Sequence, residues 1–318
     1  MKNLRSVPAL VFALVGITIA GAPAWAQQSA SSPDLIRVTV TVEGTKGNPN
    51  PPAIGKEDIV VFQEKDRRPV VDWAPATGEN AGLDLAIVVD DAIDPGVGVN
   101  LDDVRGFVRG QPATTHVAIV YGSLGNARVL QNFSADHEAA AKALRLPMGN
   151  FNSPGSIFMA VSDLLGRWPA GGNRRAVLLI SDGIDTFYGV RESMPGSNPS
   201  LQTAIDKAQR AGVTFFAIFA SGGGHFLHSS FLVSNGQGCL SRMADETGGE
   251  AFFQGFQTPL SFRPFLVDLN KLLGQQYILT FRAALGKKAS LQRLRLRTEQ
   301  HGVELQAPDR VYVPAAAK

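Results

Sequence analysis

Two largely apolar stretches that end in aspartate constrain the fold of this chain more than any other feature. The stretch 83–89 leads into Asp90, and the stretch 176–180 leads through Ser181 into Asp182. A strand that is apolar on both faces is typical of the centre of a parallel sheet, so each stretch predicts a buried central strand. Because ligands of such sheets bind beyond the carboxyl ends of the strands, both acidic clusters are expected at one binding edge. Two carboxylate-tipped strands at that edge favour a hard cation.

The region from 84 to 273 alternates between strand-like and helix-like segments. Strands are predicted at 84–90, 116–122, 127–132, 176–182, 213–220 and 251–253. Helices are predicted near 99–110, 135–145, 156–167, 200–211, 237–247 and 259–273. This alternation is typical of βαβ units, so the predicted fold class is α/β, with a doubly wound and mostly parallel sheet flanked by helices. The short connection between 116–122 and 127–132 predicts a hairpin, which adds one antiparallel strand.

Both ends of the chain are predicted to be β structure. The strands are expected at 35–43, 59–62, 70–73, 277–281, 291–297 and 311–313, with a hairpin turn from Glu64 to Arg68. Neither end is large enough to be stable by itself, so the two are expected to pair in one small β module. The predicted organisation is an N-terminal β region at 35–78, an α/β domain at 79–274, and C-terminal strands at 275–318 that pack with the first region.

The first 26 residues have the features of a signal peptide. Lys2 and Arg5 form a basic start, 7–21 supplies a short apolar stretch, and 24–26 fits an A-x-A cleavage site. The chain is therefore expected to be secreted or periplasmic, as in a bacterial envelope, with a disordered lead-in at 27–34. A retained N-terminal anchor is the alternative. No later apolar stretch approaches the roughly 20 residues of a membrane-spanning helix.

Charge and cysteine content exclude several classes of function. The chain has 30 basic and 28 acidic residues, and the signal segment holds two of the basic ones, so the remainder is near neutral. No basic stripe large enough for nucleic acid remains, and nucleic acid is not an expected partner. Arg293, Arg295 and Arg297 alternate on one predicted strand, which places them on a solvated face. The single Cys239 cannot form an intramolecular disulfide and is expected to pack in a helix.

The order of these elements resembles a von Willebrand factor A domain. It is further similar to secreted bacterial VWFA-related proteins, which have β strands on either side of that domain. The residues that carry the resemblance are 87–90, 178–183, 244–249 and 277–281. The resemblance implies a Rossmann-like sheet and a module for adhesion or interaction with another protein.

In that family, a metal-ion-dependent adhesion site binds Mg²⁺ through a D-x-S-x-S loop, a threonine from a second loop and an aspartate from a third. Asp90 matches the first aspartate, Ser156 the threonine, and Asp182 the third-loop aspartate. Ala92 stands in place of the first serine and Asp94 in place of the second. The resemblance therefore implies a degenerate site in which Asp90, Asp94, Ser156 and Asp182 are the metal ligands.

The two departures weaken such a site for Mg²⁺, because this ion demands near-octahedral oxygen geometry. Ala92 contributes no oxygen, and Asp94 adds a negative charge that reduces the attraction of a bound ion for an acidic partner. Ca²⁺ accepts more carboxylates and looser geometry, so Mg²⁺, Ca²⁺ and no cofactor all stay open. In the alternative, a vestigial site, Asp90 caps the loop that follows it, and Asp182 with Gly183 forms a tight turn.

The remaining motifs favour binding over catalysis. The glycines at 222–224 lack the spacing of a phosphate-binding loop, and His225 and His228 have no neighbouring carboxylate to complete a zinc site. The segment 221–238 is predicted as a long loop that either binds a partner or packs on its own apolar side chains.

We therefore expect an exported, non-enzymatic module that binds a protein partner. The expected surface is the rim formed by the loops at 90–100, 150–157, 182–200 and 221–238. A metal-dependent hydrolase that uses the same acidic cluster, and a purely structural envelope protein, are the alternatives.

Overall fold

A six-stranded sheet forms the centre of the computed structural model, which describes residues 32–45, 51–149, 155–222 and 229–316. The strands are β1 Leu35–Gly44, β2 Ile59–Gln63, β3 Asp66–Arg68, β4 Val70–Pro75, β5 Leu83–Asp90, β6 Thr115–Ser123, β7 Asn126–Ser134, β8 Arg174–Ser181, β9 Val213–Phe219, β10 Ala251–Phe252, β11 Gln276–Arg282, β12 Ser290–Thr298, β13 Val303–Gln306 and β14 Arg310–Val313. The helices are α1 Leu101–Arg109, α2 His137–Ala143, α3 Ile157–Gly166, α4 Pro199–Ala211, α5 Ser230–Asp245 and α6 Arg263–Gly274.

The central sheet has the strand order β10-β9-β8-β5-β6-β7. All neighbouring strands are parallel except β7, which runs antiparallel to β6. This confirms the predicted doubly wound, mostly parallel sheet with one antiparallel strand. This sheet is consistent with the von Willebrand A-like fold that the resemblance implied.

Strand β5 is buried at every position because helices cover both faces of the sheet. Leu85, Ile87 and Val89 face the core that α1, α2 and α6 complete, whereas Ala86 and Val88 face the core of α3, α4 and α5. Successive side chains of a strand point to opposite faces, so a strand between two helix layers must be apolar throughout. That requirement explains the apolar run in the sequence.

The two ends of the chain form a β module with two four-stranded sheets, β13-β1-β11-β4 and β14-β12-β2-β3. N-terminal β1 pairs with C-terminal β11 and β13, and N-terminal β2 pairs with C-terminal β12. This confirms that the two ends build one module around a shared core, to which Val40, Val61 and Leu279 belong. The chain from Pro33 to Lys318 is a single compact unit, and the domain boundaries at 35–78, 79–274 and 275–318 stay a prediction.

Two local predictions were wrong. The predicted turn Glu64–Arg68 contains strand β3, because a two-residue turn at Glu64 and Lys65 already reverses the chain and pairs Asp66 with Gln63.

The second concerns the predicted loop 221–238, most of whose second half is helical, since α5 begins at Ser230. The Ser229 hydroxyl caps this helix by accepting a hydrogen bond from the Leu232 amide at 3.3 Å.

Several sequence features lie outside the described residues. These are the predicted signal peptide at 1–26, most of the lead-in at 27–34, residues 150–154 and residues 223–228, which include His225 and His228. Within the ranges that are described, no helix combines the length and apolar character needed to cross a membrane.

Candidate functional site

The two acidic clusters meet at the point where the chain connections of the central sheet diverge. Asp90 ends β5 and Asp182 directly follows β8, and these two strands are parallel neighbours. From β5 the chain continues to β6 on one side, whereas β8 is followed by β9 on the other side. Such a switch point opens a crevice at the carboxyl ends of the strands, where this class of fold binds its ligands.

Protein hydrogen bonds engage both carboxylate oxygens of Asp90. Its Oδ1 accepts from the Ala92 amide at 3.0 Å, and its Oδ2 accepts from the Ser181 hydroxyl at 2.7 Å. The Ser181 Oγ in turn accepts from the Gly183 amide at 2.9 Å. This network joins the end of β5 to the turn after β8. The cap on the loop after Asp90, which the vestigial-site alternative predicted, is present.

Asp182 lies in a more enclosed position than its sequence suggested. Its Oδ1 accepts from the Ile184 amide at 2.9 Å, and Gly183 has a φ of 66°, so the predicted tight turn is present. A Cβ at Gly222 would lie 2.1 Å from Asp182 Oδ2, and a Cβ at Gly236 would lie 2.2 Å from the Asp182 carbonyl oxygen. The two glycines therefore let α5 and the segment that follows β9 pack directly on this turn.

Burial controls the protonation of this pair. Loss of solvent raises the pKa of Asp182, and the nearby charge of Asp90 raises it further. Burial also raises the pKa of Asp90, although the hydrogen bonds from Ala92 and Ser181 counteract the rise. One negative charge shared by two buried carboxyl groups is more favourable than two, so the pair holds a proton more readily than exposed aspartates do.

Of the other two predicted ligands, Ser156 lies near Asp90 and Asp94 has a separate role. Ser156 caps α3 by accepting from the Phe158 amide at 3.1 Å, and it borders a cavity of about 30 Å³ together with Asp90 and Ala92. Asp94 Oδ1 accepts from the Gly96 amide at 2.7 Å and so caps the short helical turn Pro95–Asn100.

This donor set does not fit Mg²⁺. Ala92 borders the cavity where the family has a hydroxyl, the Asp94 carboxylate caps its own turn, and each oxygen of Asp90 already accepts one protein hydrogen bond. In the described ranges, no group of three or more His, Cys, Asp or Glu side chains is arranged to hold a metal ion. Since Mg²⁺ needs several free oxygen ligands in octahedral geometry, a Mg²⁺-dependent step has no support here. A looser cation site at Asp90, Asp94, Ser156 and Asp182 stays a prediction.

Asp91, next in sequence to Asp90, belongs to a different network that the sequence did not reveal. Its Oδ1 and Oδ2 accept from the Arg145 guanidinium at 2.8 and 2.9 Å, and its Oδ1 also accepts from the Met148 amide at 3.0 Å. The Arg145 guanidinium lies 3.9 Å from the centre of the Tyr121 ring. These contacts fix the 144–149 segment against the rim, and no local sequence signal pairs Asp91 with Arg145.

Most of the exposed large apolar side chains in the described ranges lie in segments at this same edge of the sheet. They are Val99, Leu124, Leu146, Met148, Phe187, Tyr188, Val190, Phe231, Phe253, Phe256 and Leu260. The rings of Phe187 and Tyr188 meet edge to face with their centres 4.9 Å apart. We call this set the apolar rim. Of the four loops predicted for this surface, 90–100, 182–200 and 221–238 carry members of the rim, whereas the contributions of Leu124, 144–149 and 253–262 were missed.

Hydrogen bonds hold the apolar rim in place. The Asn100 side-chain amide donates to the Pro259 carbonyl at 2.8 Å, which joins the segments that carry Val99 and Leu260. The Asp103 carboxylate accepts from the Ser261 hydroxyl at 2.7 Å, and this bond lowers the pKa of Asp103. Val99 and Leu260 are 80% and 99% exposed, although the segments that carry them are fixed.

No protein-family model and no curated protein matches the chain. Three solved structures illustrate its similarity to known folds. An aerotolerance-related membrane protein from Bacteroides fragilis, solved with multiple mutations to serine, is 12% identical over 60% of this chain and 98% of that chain, with a TM-score of 0.44. The SpRpn10 VWA domain is 13% identical over 60% and 96%, with a TM-score of 0.39. The human COPII-coat protein Sec24c is 10% identical over 76% of this chain and 44% of that chain, with a TM-score of 0.43. These likenesses concern the fold alone.

Proposed function

We propose that the chain is an exported, non-enzymatic module that binds a protein partner through its apolar rim. The observation that carries the proposal is the concentration of exposed apolar side chains at the carboxyl edge of the sheet. Exposed apolar side chains gathered at one edge are typical of interaction sites, and aromatic side chains such as Phe187 and Tyr188 are enriched in protein interfaces. The switch point of the sheet lies at the same edge, which supports this location.

The electrostatics of the rim favour an apolar contact over capture of an acidic group through a metal. Asp90 and Asp182 share buried negative charge, and Asp91 is neutralised by Arg145. A partner therefore meets fixed apolar side chains around a crevice with little free charge. Affinity then depends on the burial of aromatic rings, which dominate binding energy in such interfaces.

Variants of the apolar rim test this proposal. Phe187→Ser with Tyr188→Ser removes two aromatic side chains that are 49% and 53% exposed, so the fold is expected to persist. The native protein, crosslinked in its producing organism, should capture a defined partner, and the double variant should lose most of it. Val71→Ser with Leu130→Ser is the control, since both side chains are exposed away from the rim and neither lines a proposed site. Equal capture by the two double variants would contradict a rim-based interface.

Export and the absence of catalysis have separate tests. If 1–26 is a signal peptide, the protein recovered from the periplasm or medium should begin at Gln27, which N-terminal sequencing measures directly. A start at Met1 would support the retained anchor.

The absence of catalysis is tested with panels of phosphate esters and peptides, which should give no turnover when Mg²⁺ or Ca²⁺ is present. Turnover that disappears in Asp90→Ala would favour the hydrolase alternative.

A further inference from the structure

A second concave surface lies at the opposite edge of the central sheet from the apolar rim. It is a cleft of about 350 Å³ between the amino ends of β8 and β9, the carboxyl end of α4, and strands β1 and β14 of the β module. This volume is within the range of small-molecule sites, which are frequent where two structural layers meet.

The lining of this cleft has an unusual charge composition. It contains Arg37 from β1, Arg174 and Arg175 from β8, and Arg210 from α4, and it contains no aspartate or glutamate. In the ranges that the structure describes, none of these four arginines forms an ion pair. Four cationic side chains around one cleft without a carboxylate produce a positive potential that attracts anions.

Arg174 is the most deeply placed of the four. Its guanidinium donates to the Leu273 and Ala81 carbonyls at 3.2 and 3.1 Å and to the Gln276 side chain, but its Nε is buried without a partner. Burial alone lowers the pKa of Arg174 to about 10, and no acidic group counteracts this effect. A buried cation that has only neutral partners is unfavourable until an anion compensates it.

Two acidic side chains near the cleft already have partners. Asp84 accepts from the Asn173 amide at 2.8 Å and pairs with His116 at 3.2 Å. Asp206 pairs with Arg310 at 2.7 Å. These partners compete with the arginines of the cleft for both carboxylates.

We infer that this cleft binds a small organic anion, in which one phosphate or carboxylate group meets the arginines. Guanidinium groups suit both anions because they donate two parallel hydrogen bonds to a pair of oxygens. The inference is independent of the apolar rim, since the two sites share no residue.

Three probes of similar size separate the possible sources of the anion. Glycerol 3-phosphate, glycerate and glycerol are titrated into the purified protein by calorimetry, and the Arg174 Nε–H resonance is followed by NMR. At least one of the two anions should bind saturably and shift that resonance, whereas neutral glycerol should do neither. Which anion binds more tightly distinguishes a phosphate ligand from a carboxylate ligand. No saturable binding of either anion would overturn the inference.

Substitutions then locate the binding. Arg174→Gln also removes hydrogen bonds to three separate segments, so the exposed pair Arg37→Gln and Arg210→Gln is the primary test. Together they should weaken anion binding at least about tenfold, since each removes a charge-assisted contact. Arg295→Gln with Arg297→Gln is the control with the same charge change, because both arginines are exposed on β12 and do not line the cleft. Equal weakening by the control would reduce the effect to general surface charge and overturn the inference.

Discussion

Arg145 holds both carboxylate oxygens of Asp91, at 2.8 and 2.9 Å, although the two residues are 54 positions apart. The side chain of Asp91 is 2% exposed and that of Arg145 is 30% exposed. Asp90, the preceding residue, instead accepts a hydrogen bond from Ser181. Two adjacent aspartates therefore fix two different segments of the rim, because successive side chains at the end of a strand point to opposite faces.

Arg145→Met should destabilise the protein by about 3 kcal/mol, because it leaves the buried charge of Asp91 without a partner. Urea unfolding followed by circular dichroism measures this change. Adding Asp91→Asn to the variant should recover part of the loss. Arg109→Met is the control, since Arg109 pairs with Glu138 on the open surface and should change stability little. A loss no larger than that of the control would show that Asp91 does not depend on Arg145.

Gly236→Ala should destabilise the protein by about 1–3 kcal/mol, because its Cβ would lie 2.2 Å from the Asp182 carbonyl oxygen. Gly106→Ala offers the opposite outcome. It lies inside α1 with no atom within 4 Å of its Cβ, so alanine should stabilise the helix by about 1 kcal/mol. Thermal unfolding of the two variants measures both effects. Similar changes of the unfolding temperature in the two variants would contradict the close contact between α5 and the Asp182 turn.

Calorimetric titration with Mg²⁺ should give no saturable heat in the native protein, because Ala92 supplies no oxygen and the Asp94 carboxylate caps the turn that follows it. Ala92→Ser with Asp94→Ser restores the D-x-S-x-S pattern and should introduce Mg²⁺ binding. Saturable binding of Mg²⁺ or Ca²⁺ to the native protein, lost in Asp182→Ala, would instead establish the predicted cation site.

Glu250 should make stability depend on pH. Burial and the charges of Glu43, Asp268 and Asp245 raise its pKa from 4.5 to about 7. The native state thus keeps a proton that the unfolded chain releases at lower pH, so this contribution is present below pH 4.5 and is lost as the pH rises towards 7.

Glu250→Gln should therefore reduce the fall in unfolding free energy between pH 4.5 and pH 8, and should be more stable than the native protein at pH 8. Urea unfolding at both pH values measures the difference. Glu299→Gln, at an exposed position, should keep the native dependence. If the unfolding free energy of Glu250→Gln falls between the two pH values as much as that of the native protein, Glu250 is not the source of the pH dependence.

Strands were easier to predict than the irregular features of the fold. Central strands such as β5 and β8 require apolar residues on both faces, so composition alone locates them to within about two residues. Strand β3 was missed because its three residues, Asp66–Arg68, are all polar and are defined only by pairing with β2. The start of α5 was missed because Gly236 and Gly238 are typical of loops. In this fold they allow α5 to pack against Asp182 and Pro195.

The sequence by itself determined the layered α/β fold and the common edge of Asp90 and Asp182. Both follow from short apolar runs and from the polar residues that end them. Tertiary structure alone decided what each carboxylate does: Asp90 bonds to Ser181, Asp91 pairs with Arg145, and Asp94 caps a local turn. It also assembled the apolar rim and the arginine-lined cleft from distant segments. Those outcomes depend on strand order and on close backbone contacts, which residues adjacent in sequence do not encode.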